Sequence, residues 1–203
     1  MNKIKFHYTY YILVLSFLLT GQFINLLIFT SLIVIHELGH YLSSKIFNIE
    51  VKNITIYPYG GITKLNSVID IDLTKELIIS ISGIIMQTIY YFIIYILYKN
   101  NIIRPYVFEL FNKYHYSIVL FNLIPIYPLD GGRIIKGILH IELGKDKSEY
   151  IINSISKTTI VIFTIISSIA VYCLKNVAIF LVCIFLWSLI WKEKNGKTLE
   201  ILR

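Results

Sequence analysis

The feature that most constrains this chain is a series of apolar runs, nearly all of them short of Asp, Glu, Lys and Arg. Several are long enough to cross a hydrocarbon core of about 30 Å. In lipid every backbone amide must find its partner inside the protein, so such runs fold as helices. Charged residues make up only 15% of the 203 residues, too few to clothe a soluble domain of this length. The chain reads as an all-α polytopic membrane protein of about six transmembrane helices. The expected spans are about Tyr8–Thr20, Phe23–Phe47, Leu77–Tyr98, Tyr116–Leu139, Ile151–Cys173 and Val177–Trp191. They make one intramembrane domain over residues 1–191, followed by a short cytosolic tail, 192–203.

Between the second and third spans, residues 48–76 alternate apolar and polar side chains around Pro58 and Gly60–Gly61. That pattern predicts a short β-hairpin, Glu50–Tyr57 turning into Gly61–Leu65. Residues 140–150, HIELGKDKSEY, read as a polar loop. The first span follows Lys3 and Lys5 and is short enough to be a signal-peptide core. No small-residue cleavage pattern follows it, and a second apolar run starts after Gly21–Gln22. An uncleaved pair of helices is the better reading, with one long helix over 8–35 as its alternative.

The net charge of +7 does not point to nucleic acid, because the basic residues lie between apolar runs rather than in one patch. Their distribution instead orients the chain. With six spans and the N-terminus inside, the outer segments hold only Lys99, Arg104, Lys113 and Lys175 of the 19 Lys and Arg. A single long first helix would reverse most of that asymmetry, so the positive-inside rule favours two. The region 48–76 and the loop 140–150 then face the cytosol. Cys173 and Cys183 form no CxxC and read as inert packing thiols.

Chemistry enters at His36-Glu37-Leu38-Gly39-His40, which fits H-E-x-x-H. On a helix, positions i and i+4 share a face, so two imidazoles can grip one zinc ion, with the intervening Glu placed to act on a water. The motif follows the apolar run FINLLIFTSLIVI. Ionisable groups at such depth are costly and by default functional. A chance match, or two surface histidines on a soluble helix, explains the placement poorly.

A catalytic zinc takes three protein ligands and keeps one open position. His7, His115 and His140 lie at span ends and read as interfacial; Asp70, Asp72 and Glu109 lie in loops. Asp130 lies inside the fourth apolar segment, in NLIPIYPLDGGRI. His36 and Asp130 each fall about 14 residues into spans that run the same way, roughly 20 Å deep at helical rise. Pro125, Pro128 and Gly131–Gly132 break the helix around Asp130. Such irregular backbone is tolerated only inside protein or beside water. A bridge from Asp130 to Arg133 is the rival explanation.

With these residues the sequence resembles the site-2 metalloprotease family of intramembrane zinc proteases. HELGH on one span and NLIPIYPLDGG on a later one carry the likeness, with IYPYGGIT and SGIIMQ (Ser82–Gln87) adding to it. It extends over about residues 5–190 and is nearest the compact bacterial group that includes a sporulation protease releasing a tethered sigma-factor precursor.

The resemblance implies one Zn2+ held by His36, His40 and Asp130, with Glu37 as catalytic acid/base. It also implies that Asn122, which opens the N-x-x-P-x-x-P-x-D-G stretch, orients substrate. Gly60 and Gly61, in the hairpin, are expected to help hold an unwound substrate strand by β-augmentation. Where the family often has Gly-Pro-x-x-Asn, this chain has Gly83 with Ile84 and Gln87. No PDZ domain fits between the spans, and no C-terminal sensing module is expected.

The expected partner is a membrane-tethered protein substrate near the cytosolic face of a bacterial membrane, with a membrane inhibitor or assembly partner by analogy and no nucleic acid. A membrane metal-transport or non-proteolytic metal-binding protein is the rival class. It would tolerate Glu37→Gln.

Overall fold

The computed structural model describes residues 3–49, 51–57, 60–65, 73–175 and 177–194, some of them as backbone only. Seven helices are described: α1 (Tyr8–Leu19), α2 (Phe23–Ile46), α3 (Leu73–Lys99), α4 (Pro105–Asn122), α5 (Asp130–Leu143), α6 (Lys145–Leu174) and α7 (Val177–Lys194). Three strands accompany them: β1 (Lys3–Phe6), β2 (Val51–Tyr57) and β3 (Gly60–Leu65). The chain divides into two compact units, residues 1–70 with 78–121 and residues 71–77 with 122–203.

In the first unit α1 and α2 are separate helices. Gly21, at φ 68°, turns the chain between them, a backbone region costly for a residue with a Cβ. The single-helix alternative over 8–35 is thereby excluded. Tyr10 and Thr30 share a hydrogen bond of 2.6 Å between the two helices. The core around it is Tyr10, Ile28, Leu32, Ile33, Phe111 and Ile118. Tyr90 and Phe111 meet edge to face across α3 and α4 at 5.3 Å.

Helices α2 and α3 approach so closely at Gly39 that a Cβ there would lie 2.5 Å from the Ser82 carbonyl oxygen. Small residues of this kind let membrane helices pack backbone to backbone. Strands β2 and β3 pair antiparallel, with Tyr57 opposite Gly60 and a register shift between Val51 and Asn53. The connecting Pro58 and Tyr59 lie outside the described residues, as do Glu50, Asp70 and Asp72. Strand β1 adds parallel to β2, giving the order β1-β2-β3.

In the second unit α6 packs against both α5 and α7. Trp187 Nε1 donates to Thr164 Oγ1 at 3.0 Å, and Cys183 Sγ lies 3.4 Å from the Phe163 carbonyl. Cys183 is buried; Cys173 is exposed rather than packed.

Two sequence expectations need correction here. Residues 140–150 are not a loop, since α5 continues to Leu143 and α6 begins at Lys145. Gly144 alone breaks the path, at φ 82°. Polarity suggested a loop, yet Glu, Lys and Leu form helix readily and Asp146 suits a first turn. The segment expected as one span, Tyr116–Leu139, is two helices, with 123–129 between them outside helix. The depth assigned to Asp130 by helical rise therefore does not hold, because the backbone before it does not rise as a helix.

Three helices among the described residues are long and apolar enough to cross a membrane: Phe23–Ile46, Thr74–Lys99 and Lys145–Cys173. They expose rows of large apolar side chains, such as Ile85, Ile89 and Ile93 on α3 and Ile162, Ile165 and Ile169 on α6. Surfaces of this kind belong in lipid. The chain is a membrane protein.

Candidate metal centre

Helix α2 carries His36, Glu37 and His40 on turns that face inward, and all three side chains are buried. One ligand atom from each lies within 4.8 Å of the others, a spacing that one ion can bridge. The two imidazoles stand edge to face, centroids 4.8 Å apart, with their Nε2 atoms 3.1 Å from one another.

The ring orientations come from α3. His40 Nδ1 lies 2.7 Å from the Ile79 carbonyl oxygen. A carbonyl only accepts, so this Nδ1 carries the proton and His40 Nε2 presents a lone pair. That is the protonation state a metal ligand needs. His36 Nδ1 lies 3.1 Å from Gln87 Oε1. Gly83 stands between these anchors, and a Cβ there would fall 2.5 Å from His40 Nε2 and 2.9 Å from His36 Nε2. The missing side chain leaves the cradle in which the two nitrogens converge. The two converging imidazole nitrogens are borderline donors that suit zinc, and the Glu37 carboxylate lies beside them, so these residues fit the expected cofactor.

Residues 79, 83 and 87 recur at i, i+4 and i+8, so a single ridge of α3 supplies both histidine anchors and the gap between them. Gln87 was visible in the sequence only as a departure from the family pattern. His115 is buried. Its backbone carbonyl lies 3.3 Å from Gln87 Nε2, and its ring stacks on Tyr91 at 4.5 Å. The four-residue spacing on α3 was the available signal for Gln87. Nothing local marked His115.

Gly60 and Gly61 open β3, which packs against α2. Asn122 ends α4 and Asp130 begins α5; both are buried and belong to the second unit. A carboxylate at a helix N-terminus is stabilised by the axial dipole. Around Asp130 the chain folds back tightly: a Cβ on Gly131 would strike the Leu123 backbone, and one on Gly132 the backbone of Ile126 and Tyr127. Tyr127 N donates to Ser156 Oγ at 3.0 Å, tying this turn to α6. His7 caps α1, accepting from Thr9 N at 3.4 Å, and His140 lies in the last turn of α5.

Comparison with known proteins bears out the resemblance. Residues 24–116 match Peptidase family M50. The chain is 33% identical to stage IV sporulation protein FB of Bacillus subtilis over 66% of its own length and 46% of that protein's. It is 28% identical to a zinc metalloprotease of Methanocaldococcus jannaschii over 87% of its length and 50% of that protein's. The chain thus spans about half the length of these relatives. Among solved structures, a site-2 protease from Methanocaldococcus jannaschii shares the fold, with a TM-score of 0.69 at 24% identity. The match covers 94% of this chain and 89% of that one.

Proposed function

We infer, from a segment matching Peptidase family M50 and a likeness to the site-2 metalloproteases, that this chain is an intramembrane zinc endopeptidase that cuts a membrane-tethered protein. The observation that carries the reading is the buried His36–Glu37–His40 group, with His40 already in its metal-binding tautomer. His36, His40 and Asp130 would hold one Zn2+, with Asp130 supported by its motif and its burial at the head of α5. A zinc ion, when bound, acidifies a water at its open position and polarises a carbonyl oxygen.

Glu37 is the proton carrier. Its carboxylate takes a proton from the attacking water and returns it to the leaving amine nitrogen as the peptide bond breaks. Burial of Glu37 keeps bulk water from competing for that proton. The amides of a transmembrane substrate helix are internally satisfied, so a segment must unwind to be cut. The edge of β3, where Gly60 and Gly61 lie, would hold the unwound strand, with Asn122 orienting it.

The charge distribution supports six spans in a bacterial membrane, with the centre opening to the cytosol. The relative named for a sporulation stage makes a tethered sigma-factor precursor the substrate to try first, and a membrane inhibitor or assembly partner fits the same setting.

The test is co-expression of this chain with such a precursor. Wild type should release the soluble fragment. Glu37→Gln should retain zinc and lose cleavage by several orders of magnitude, as removal of a general base together with the nucleophile's activation does. A Glu37→Gln chain that still cuts would sink the mechanism. Asp130→Asn should lose zinc as well as activity, measured as metal per purified chain.

A further inference from the structure

We infer that Gln87, locked in one amide orientation by His115, is a positioning residue that holds His36 in the tautomer able to bind the metal. The inference rests on the zinc reading above and deepens it. Gln87 is fully buried on α3, with an acceptor oxygen at one end of its amide and a donor nitrogen at the other.

The His115 carbonyl oxygen lies 3.3 Å from Gln87 Nε2 and can only accept. His115 Nδ1 lies 3.4 Å from the same nitrogen. A flipped amide would set an oxygen against that carbonyl, leaving two acceptors face to face in a buried site. The amide nitrogen therefore points at His115 and Oε1 points at His36 Nδ1, 3.1 Å away. An acceptor at that distance calls for a proton on His36 Nδ1, and so for a lone pair on His36 Nε2.

That choice matters because His36 has a competing option. His40 Nε2, a lone pair by virtue of the Ile79 carbonyl, lies 3.1 Å from His36 Nε2. Without a partner at Nδ1, His36 would gain by moving its proton to Nε2 and donating it to His40. Both ligand atoms would then be consumed in a hydrogen bond between the histidines. Gln87 tips the balance by rewarding the other tautomer, so both lone pairs turn toward the space left by Gly83. Partners of this kind usually set the ring orientation and basicity of a ligating histidine. His115 acts one step further out, its ring stacked on Tyr91 and its backbone fixed in α4.

The experiment measures metal rather than turnover. The wild-type chain, Gln87→Met, Gln87→Glu and His115→Phe are purified in detergent. Zinc affinity is read by competition with a chromophoric chelator, and the visible spectrum is read after loading with Co2+. Methionine fills the same volume but accepts poorly, so Gln87→Met should bind zinc about 10- to 100-fold more weakly, with altered Co2+ bands. Gln87→Glu keeps the acceptor and, when protonated, the donor, and should restore affinity close to wild type. His115→Phe keeps a ring against Tyr91 and should weaken zinc in the same direction by less. Wild-type affinity and an unchanged Co2+ spectrum in both Gln87→Met and His115→Phe would overturn the positioning role while leaving the zinc reading intact. A wild type that takes up no zinc would overturn both.

Discussion

At the scale of single residues, two glycines separate conformational cost from site cost. Gly83 has an ordinary backbone, but a Cβ there would stand 2.5 Å from His40 Nε2. Gly83→Ala must push an imidazole aside, and zinc affinity should fall about 10- to 100-fold, as for other losses of ligand support. Gly21 is the reverse case, with φ 68° and nothing within 4 Å of a built Cβ. Gly21→Ala should cost about 1 kcal/mol of stability and leave zinc affinity unchanged. Chelator competition and thermal unfolding in detergent, run on both variants, check the contrast. Equal zinc affinities would mean that the Gly83 gap is not part of the site. His36, Glu37 and His40 were legible because their relation lies within one helical turn and their cost in an apolar run is hard to explain otherwise. Gln87 and His115 were not, because their hydrogen bonds join residues on different helices; the four-residue spacing on α3 marks a face without saying that it meets α2.

At the scale of elements, the apolar runs located the starts of α1, α2 and α7 at Tyr8, Phe23 and Val177, but not α4, which begins at Pro105 and takes in Glu109, expected in a loop. Charge density misled at 140–150, where polar residues clothe a helical join rather than a loop. Strand β1 was missed because four residues before an apolar run carry too little pattern to declare a strand. Its presence changes the β-augmentation idea, since β1 occupies one edge of β2 and leaves β3 as the edge near Gly60. Successive residues of a strand direct their N–H groups to opposite sides. One of Ile62 and Thr63 therefore points its amide toward β2 and the other toward the outer edge. Proline at the outward position removes the β3 N–H that would donate to an incoming strand, without breaking the β2–β3 ladder. Of Ile62→Pro and Thr63→Pro, that variant should lower cleavage about tenfold or more with zinc retained, since a lost ladder bond to an unwound substrate costs about 1 kcal/mol and misplaces the strand as well. Undiminished cleavage by both variants would remove the sheet edge from substrate binding.

At the scale of the whole molecule, orientation in the membrane rests on charge asymmetry alone, and it decides on which side any product is released. Helix α1 has 12 residues and so reaches only about 18 Å, well short of a hydrocarbon core. Whether it counts as a crossing sets the sidedness of everything after it. If α1 and α2 form a pair of crossings with the N-terminus inside, the α3–α4 connection is outside and the α5–α6 join is inside. Asn101, exposed at the first, and Lys147, exposed near the second, report the two sides. In a chain carrying Cys173→Ser and Cys183→Ala, a membrane-impermeant maleimide added to intact cells should label Asn101→Cys at once. Lys147→Cys should react only after permeabilisation. The opposite pattern would mean that α1 does not cross, which would turn the metal centre and its proposed product toward the outer face. It would also place most of the 19 Lys and Arg outside, against the usual preference for positive charge within.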